Sequence, residues 1–189
     1  MHFEHDVLMG IMADLDEETQ AHSKRVQSLA VAIGERMGLT SAELKELNLG
    51  AYIHDIGKKF IPETILKKKA PLTPQEWEII EMHPKRGYSL VEALGLSDAV
   101  KGIVLGHHLW ADGQGGYPQE LVGLKPSLLT QITTVADVFD AMISHRAYRQ
   151  GLGIAAAMDH LKSNSGTRFN IEVVAVFEAE VYPSLRISG

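Results

Sequence analysis

The amino-acid sequence predicts an all-α fold, and three observations carry that prediction. Apolar residues recur at three- and four-residue steps, helix-start signals precede several of these runs, and no segment keeps the strict two-residue alternation that a sheet requires. With 189 residues, 45% of them hydrophobic, the chain can fill one core but hardly two, so a single domain over 1–189 is expected. Residues 1–12 read as a frayed or linker helix whose apolar "VLMGIM" is available to a partner helix. There is no convincing repeat, low-complexity tract or interdomain linker.

In "HSKRVQSLAVAIGERMG", Val26, Leu29, Ala30, Ile33 and Met37 share one helical face, and Gly38 reads as the C-terminal cap. "LTSAELKELNLGAYIHDIG" starts a helix at Thr40 or Ser41, with Glu43 in its first turn, and carries it to near Gly57. "LTPQEWEIIEMHP" starts another, with Thr73 as cap and Pro74 at the first position; Pro84 is expected to close it, leaving His83 in its last turn. Further helices fit "GYSLVEALG", "SDAVKGIVLGHH", "LLTQITTVADVFDAMIS", "GIAAAMDHLKS" and "IEVVAVFEAEVYPSL". Residues 58–72 and the glycine-rich "ADGQGGYPQELVGLKP" read as irregular.

Composition narrows the chemistry. The absence of cysteine removes disulfides and thiolate metal sites and suits a reducing cytoplasm, the expected location. A net charge of -6 argues against a long nucleic acid as ligand, and no apolar run approaches the length of a membrane span. The expected partner is a small molecule, with a local basic pocket for an anion.

His54 and Asp55 adjoin in "AYIHDIGKKFIP", near the end of a buried helix. Neighbouring helical side chains diverge by about 100°, so the two cannot both face one atom. As an isolated pair they would be a cap and a hydrogen-bonded core group; the alternative is that they serve adjacent metal ions. They are not isolated. His22, His54, His83, the pair His107 and His108, and Asp137 follow at roughly 25 to 32 residues, about one helix plus its connection. Each helix can deliver one ligand to a common centre, and Glu18 shares a helix face with His22. Donors of this kind without sulfur suit iron, manganese, zinc, nickel or cobalt. Two divalent ions against Glu18, Asp55 and Asp137 leave about one positive charge, which attracts phosphate and lowers the pKa of bound water. Phosphoester hydrolysis is the chemistry this favours.

Four motifs in order, "HDIGK", "EMHPKRGYSLV", "HHLWADGQGGYP" and "VADVFDAMISHRAYR", resemble the HD-GYP branch of the HD-domain phosphohydrolases across 19–177. The resemblance implies an HD-domain helical bundle with an irregular GYP loop. It also implies a metal-dependent phosphodiesterase that opens a cyclic dinucleotide, usually cyclic di-GMP, to pGpG and sometimes to GMP. By the same resemblance His22, His54, Asp55, His83, His107, His108 and Asp137 match the metal ligands, with Asp55 as the bridge. Glu18 matches the extra carboxylate of members that hold three metals. Two or three divalent ions are thus implied, iron or manganese foremost, with nickel, cobalt or zinc as alternatives. Lys58 matches the lysine that points at the substrate phosphate, Arg146 and Arg149 the positions that hold the dinucleotide, and Tyr117 and Pro118 one wall of the cleft.

Departures from the pattern bear on substrate choice more than on metal. Leu109 stands where the family commonly has glutamate, and "DGQGGYP" carries one extra glycine, which is expected to displace or loosen the loop. Asn170 replaces a more usual aspartate and should affect local capping only. A catalytically weak binding or signalling module, or hydrolysis of another nucleotide phosphoester, are the readings these departures keep open. A homodimer is compatible with the sequence. His2, His5, His145 and His160 fall outside the ligand positions. Trp77 reads as core beside Ile80, and Trp110 as a cleft residue able to stack on a base.

Overall fold

The computed structural model describes residues 2–144 and 151–187. Its elements are α1 (His2–Ala13), α2 (Glu17–Arg36), α3 (Ser41–Ile53), α4 (Glu63–Leu66), α5 (Pro74–Ile80), α6 (His83–Ala93), α7 (Asp98–Gly106), α8 (Leu128–Ile143), α9 (Ile154–Ser163), α10 (Ile171–Val176) and α11 (Tyr182–Ile187). A π turn at Phe177–Val181 joins the last two, and 3-10 turns occupy Ile56–Phe60 and Gln119–Leu121. Among the described residues there is no strand, only two isolated bridges, Leu109 with Gly116 and Ser165 with Phe169. His145, Arg146 and Arg149 lie outside the described residues.

Caps decide where the helices begin. Asp16 accepts from the Thr19 amide ahead of α2; Thr40 with Glu43, and Thr73 with Glu76, form reciprocal capping boxes on α3 and α5. Ser97, Ser127 and Asn170 cap α7, α8 and α10, so the asparagine does serve local capping. Past α2, Gly38 takes φ 72°. The Gly38 amide donates to the Glu35 carbonyl and the Leu39 amide to that of Gly34, the two bonds of a Schellman stop.

Helix α2 packs on α3 and α8, α3 on α7, and α7 on α6. The main core joins Val26, Ala30 and Ile33 of α2 to Leu47 and Ala51 of α3, to Ile132, Val135 and Phe139 of α8, and to Phe169 and Phe177. A second cluster gathers Ile53, Ile56, Val91, Val100 and Val104 with Leu8 and Met12 of α1. The first segment is therefore docked rather than frayed: Leu8 and Met12 are buried, each worth about 1.5–3 kcal/mol against exposure.

Four further expectations are corrected. Pro84 does not close α5; it sits in the first turn of α6, where its missing N–H costs nothing, and His83 is the first residue of that helix. Helix α3 stops at Ile53, four residues short of Gly57, and the chain tightens into the 3-10 turn that seats Gly57 against α6, whose His83 carbonyl would lie 1.9 Å from any Cβ at that position. Trp77 is 51% exposed, because α5 is a short, outlying helix that buries none of its residues. The stretch 58–72 is also not wholly irregular, since it holds α4.

Candidate metal centre

Helix ends converge on one buried point. His54 caps the C-terminus of α3, His107 caps that of α7, and His83 opens α6. Helix ends leave carbonyls without intrahelical partners, and these three histidines use them. The Nδ1–H of His54 donates to the Ala51 carbonyl (2.8 Å), that of His83 to Ile80 (2.8 Å) and that of His107 to Val104 (3.0 Å). A carbonyl can only accept, so the proton is fixed on Nδ1 and the Nε2 lone pair faces the centre.

Asp55 lies between two groups of donors. Its Oδ2 is 3.3 Å from His54 Nε2 and 3.8 Å from His22 Nε2, while Oδ1 is 3.3 Å from His83 Nε2 and 4.0 Å from His107 Nε2. Asp137 of α8 closes the first side, its Oδ1 lying 3.0 Å from His22 Nε2 and 3.8 Å from His54 Nε2. Two compact ligand groups result, His22 with His54 and Asp55, and His83 with His107 and His108.

Two features of this arrangement fit divalent cations. His54 Nε2 is buried and has no hydrogen-bond partner among the described residues. His83 Nε2 and His107 Nε2 stand 3.2 Å apart, and with both protons on Nδ1 these are two lone pairs facing each other. A shared cation converts that repulsion into ligation. The residues present therefore suit the metal the sequence implies.

The electrostatics agree. Burial and the neighbouring imidazoles of His54 and His83 push His107 down to about 3; burial, then His107 and His83, hold His108 well below the ordinary value, leaving both rings neutral at pH 7. Burial alone would raise Asp55, but Lys58 and His54 overcome it and hold the carboxyl well below the usual range. Asp137 is depressed likewise, its burial outweighed by His22 and His54. Burial opposes protonation of His22, yet Asp137 on Nε2 and Asp140 on Nδ1 raise it to about 9.

The remaining candidates divide. Lys58 belongs to the site, its Nζ 2.5 Å from Asp55 Oδ2 with the side chain 22% exposed. Tyr117 stacks on His108, ring centres 4.3 Å apart at 30°. Glu18 is exposed on the first turn of α2 and belongs to neither ligand group. His160 is half-buried on α9 against Phe169, away from these groups.

Sequence reading missed Asp140, Arg25 and Thr134. Asp140 Oδ2 accepts from His22 Nδ1 at 2.7 Å, and Arg25 donates from Nε to Oδ1 (2.6 Å) and from Nη2 to Oδ2 (3.0 Å). The Thr134 hydroxyl holds the His107 carbonyl at 2.8 Å. The signal was available: Asp140 follows Asp137 by three residues and Arg25 follows His22 by three, placing each pair on one face of facing helices.

Comparison with known proteins yields a consistent picture. The HD domain family model matches residues 6–173. The chain is 37% identical over 164 residues to a cyclic di-GMP phosphodiesterase of Thermotoga maritima, covering 86% of this chain and 44% of that protein. It is 32% identical over 159 residues to the 3'3'-cGAMP-specific phosphodiesterase 2 of Vibrio cholerae, covering 83% of this chain and 30% of the relative. The chain thus spans less than half the length of these curated relatives. Among solved structures, the HD domain of the Listeria monocytogenes phosphodiesterase PgpH, in complex with cyclic-di-AMP, superposes with a TM-score of 0.68 at 19% identity, covering 96% of each chain, and shares the fold.

Proposed function

This chain belongs to the HD-domain family, and on that premise we propose that its 189 residues form one domain that hydrolyses a cyclic dinucleotide, cyclic di-GMP foremost, to pGpG or onward to GMP. The observation that carries the proposal is the placement of Asp55, whose two carboxylate oxygens face separate ligand groups. In this reading His22, His54, Asp55 and Asp137 hold one ion, and Asp55, His83, His107 and His108 hold the second; Glu18 is the position for a third. Imidazole and carboxylate donors suit iron, manganese, nickel, cobalt or zinc alike, and the family resemblance puts iron or manganese first. Bound there, divalent ions neutralise phosphodiester charge and lower the pKa of water to supply a nucleophile at neutral pH.

The chain's own groups do the rest. Lys58, partly exposed beside Asp55, donates to a phosphate oxygen and offsets the charge that develops as the leaving oxygen departs. Asp55 and Asp137, held ionised, and His107 and His108, held neutral, are already in the protonation state that ligation needs, while His22, raised to about 9, would give up its Nε2 proton on ligation. Arg146 and Arg149 grip the dinucleotide, because a guanidinium binds phosphate bidentately or stacks on guanine. Tyr117 lines the cleft over His108. Among the described residues no helix is long and apolar enough to cross a membrane. The proposed setting is the cytoplasm, and the assembly to test is a homodimer, by its mass in solution.

The deciding experiment measures metal content and turnover on one sample, reconstituted anaerobically with iron, manganese or nickel, against cyclic di-GMP, 3'3'-cGAMP and cyclic-di-AMP. Chromatographic detection of pGpG or GMP establishes the reading. The second reading, a mixed-dinucleotide phosphodiesterase, is favoured by the cGAMP-specific relative and the altered loop, and turnover of 3'3'-cGAMP alone selects it. Ligand binding without product in every metal makes the chain a binding module, and failure to bind any metal overturns the site.

A further inference from the structure

The loop after α7 departs from the family pattern by one added glycine, and the structure gives that residue a partner. Flexibility is not what it supplies. The Trp110 amide donates to the Gly115 carbonyl (3.0 Å) and the Gly113 amide to the Trp110 carbonyl (3.0 Å). The loop is tied outward as well, from the Ala111 and Asp112 amides to the Arg168 and Thr167 carbonyls at 3.0 Å each, and from the Gly123 amide to the Gly113 carbonyl at 2.8 Å.

Within this frame Gly115 lies against the indole. A Cβ there would sit 2.8, 2.9 and 2.9 Å from Trp110 Cδ2, Cε2 and Cε3. Near-equal distances to a ring-fusion atom and two of its neighbours put that Cβ over the ring face, so any side chain at 115 must push the indole away. The backbone of Gly115 lies outside the left-handed region, and the three atoms nearest a Cβ there all belong to the ring. Gly116 continues the contact at φ 91°, where a Cβ would lie 2.0 Å from the His108 carbonyl. Tyr117 then lays its ring on the His108 imidazole.

We infer that Trp110 and Gly115 act as a matched pair that positions His108: the indole seats on the glycine, which sets Gly116 and Tyr117, and Tyr117 fixes the imidazole. The inference rests on reading His83, His107 and His108 as one metal-binding group. Trp110 is a positioning residue in this scheme. Its indole, 37% exposed, braces the loop from outside, and Leu109 turns inward as a buried anchor where family members commonly carry glutamate.

The test is Mn2+ binding by equilibrium dialysis to the wild-type chain, Trp110→Ala, Trp110→Phe, Gly115→Ala and the Trp110→Ala/Gly115→Ala double variant, with circular dichroism confirming the fold. The wild type is expected to bind at least two ions, one in each ligand group. Each single alanine variant should weaken one of them by about tenfold or more, the usual effect of losing a ligand's outer support, and leave the other unchanged. The double variant should match Trp110→Ala alone, since the added methyl then has no ring to strike. Trp110→Phe, which keeps a flat ring, should restore most of the affinity. A wild type that binds no Mn2+ defeats the metal reading itself. A wild type that binds two ions defeats only the positioning role if the single variants bind equally well, if both ions weaken together, or if the two effects add in the double variant.

Discussion

Replacing Gly57 by alanine adds one methyl group at the tightest crossing in the site. A Cβ at 57 would lie 1.9 Å from the His83 carbonyl oxygen and 2.7 Å from the Gly87 amide nitrogen. Ordinary contact begins at 3.4 Å, so the 3-10 turn and α6 must separate by about 1.5 Å. Both obstacles are backbone, and no rotamer change can relieve them. Overpacking of this kind costs about 3 kcal/mol at the upper end of its usual range. With a urea slope of about 2 kcal/mol/M, the unfolding midpoint should fall by about 1.5 M. The same movement carries His83 away from Asp55 Oδ1, now 3.3 Å from its Nε2, so metal content should fall under native conditions too. Gly102 of α7 is the control: nothing among the described residues lies within 4 Å of a Cβ there, and alanine should be neutral or add about 0.5–1 kcal/mol through helix propensity. A Gly57→Ala protein with an unchanged urea midpoint and full metal content would refute the argument from space.

Other expectations are open to equally direct measurement. Asp55→Ala should abolish turnover and strip metal from both groups; a folded variant with wild-type metal and rate removes Asp55 from the centre. Asp140→Ala should weaken metal binding by about 10–100-fold, with Asp140→Asn intermediate because it keeps an oxygen for His22, as read by competition with a chelator. Unaltered affinity in both would sink that role. Arg146→Ala should raise the dissociation constant for cyclic di-GMP by about tenfold or more without changing metal content, and calorimetry showing the same constant would exclude it from the substrate site. Asp16→Ala should cost about 1 kcal/mol at pH 7. Burial works against ionisation of Asp16, but the Thr19 hydroxyl and amide prevail and hold its carboxyl below the ordinary 3.8. Its contribution is therefore present above pH 3.8 and lost as pH falls through the lower folded value, so the variant and wild-type stabilities should converge in acid. A difference that persists there would contradict the carboxylate cap.

Much of the architecture was legible because its signals are local. Thr40, Thr73 and Gly38 announced helix ends, and the spacing of His22, His54, His83, His107 and Asp137 announced that several helices converge on one point. What escaped depends on tertiary contacts. Pro84 can stop one helix or start the next, and only the seating of His83 against Gly57 decides between them. Trp77 has core spacing beside Ile80, yet α5 lies outside both apolar clusters. The added glycine looked like slack in the loop until the indole of Trp110 was found against it. Asp140 lies one helical turn beyond Asp137, but its bond to His22 depends on α2 lying against α8.

The histidines of the centre differ in how early in folding their orientation can be set. His54, His83 and His107 each bond a carbonyl three residues back, within a single turn that closes in about a microsecond once its helix forms. His22 takes its orientation from Asp140, 118 residues later. His54, His83 and His107 can take their tautomer from within one turn, whereas His22 is set only once α8 lies against α2. Orientation is thus local for three of the rings and tertiary for His22, so loosening the contact between α2 and α8 would disturb His22 first.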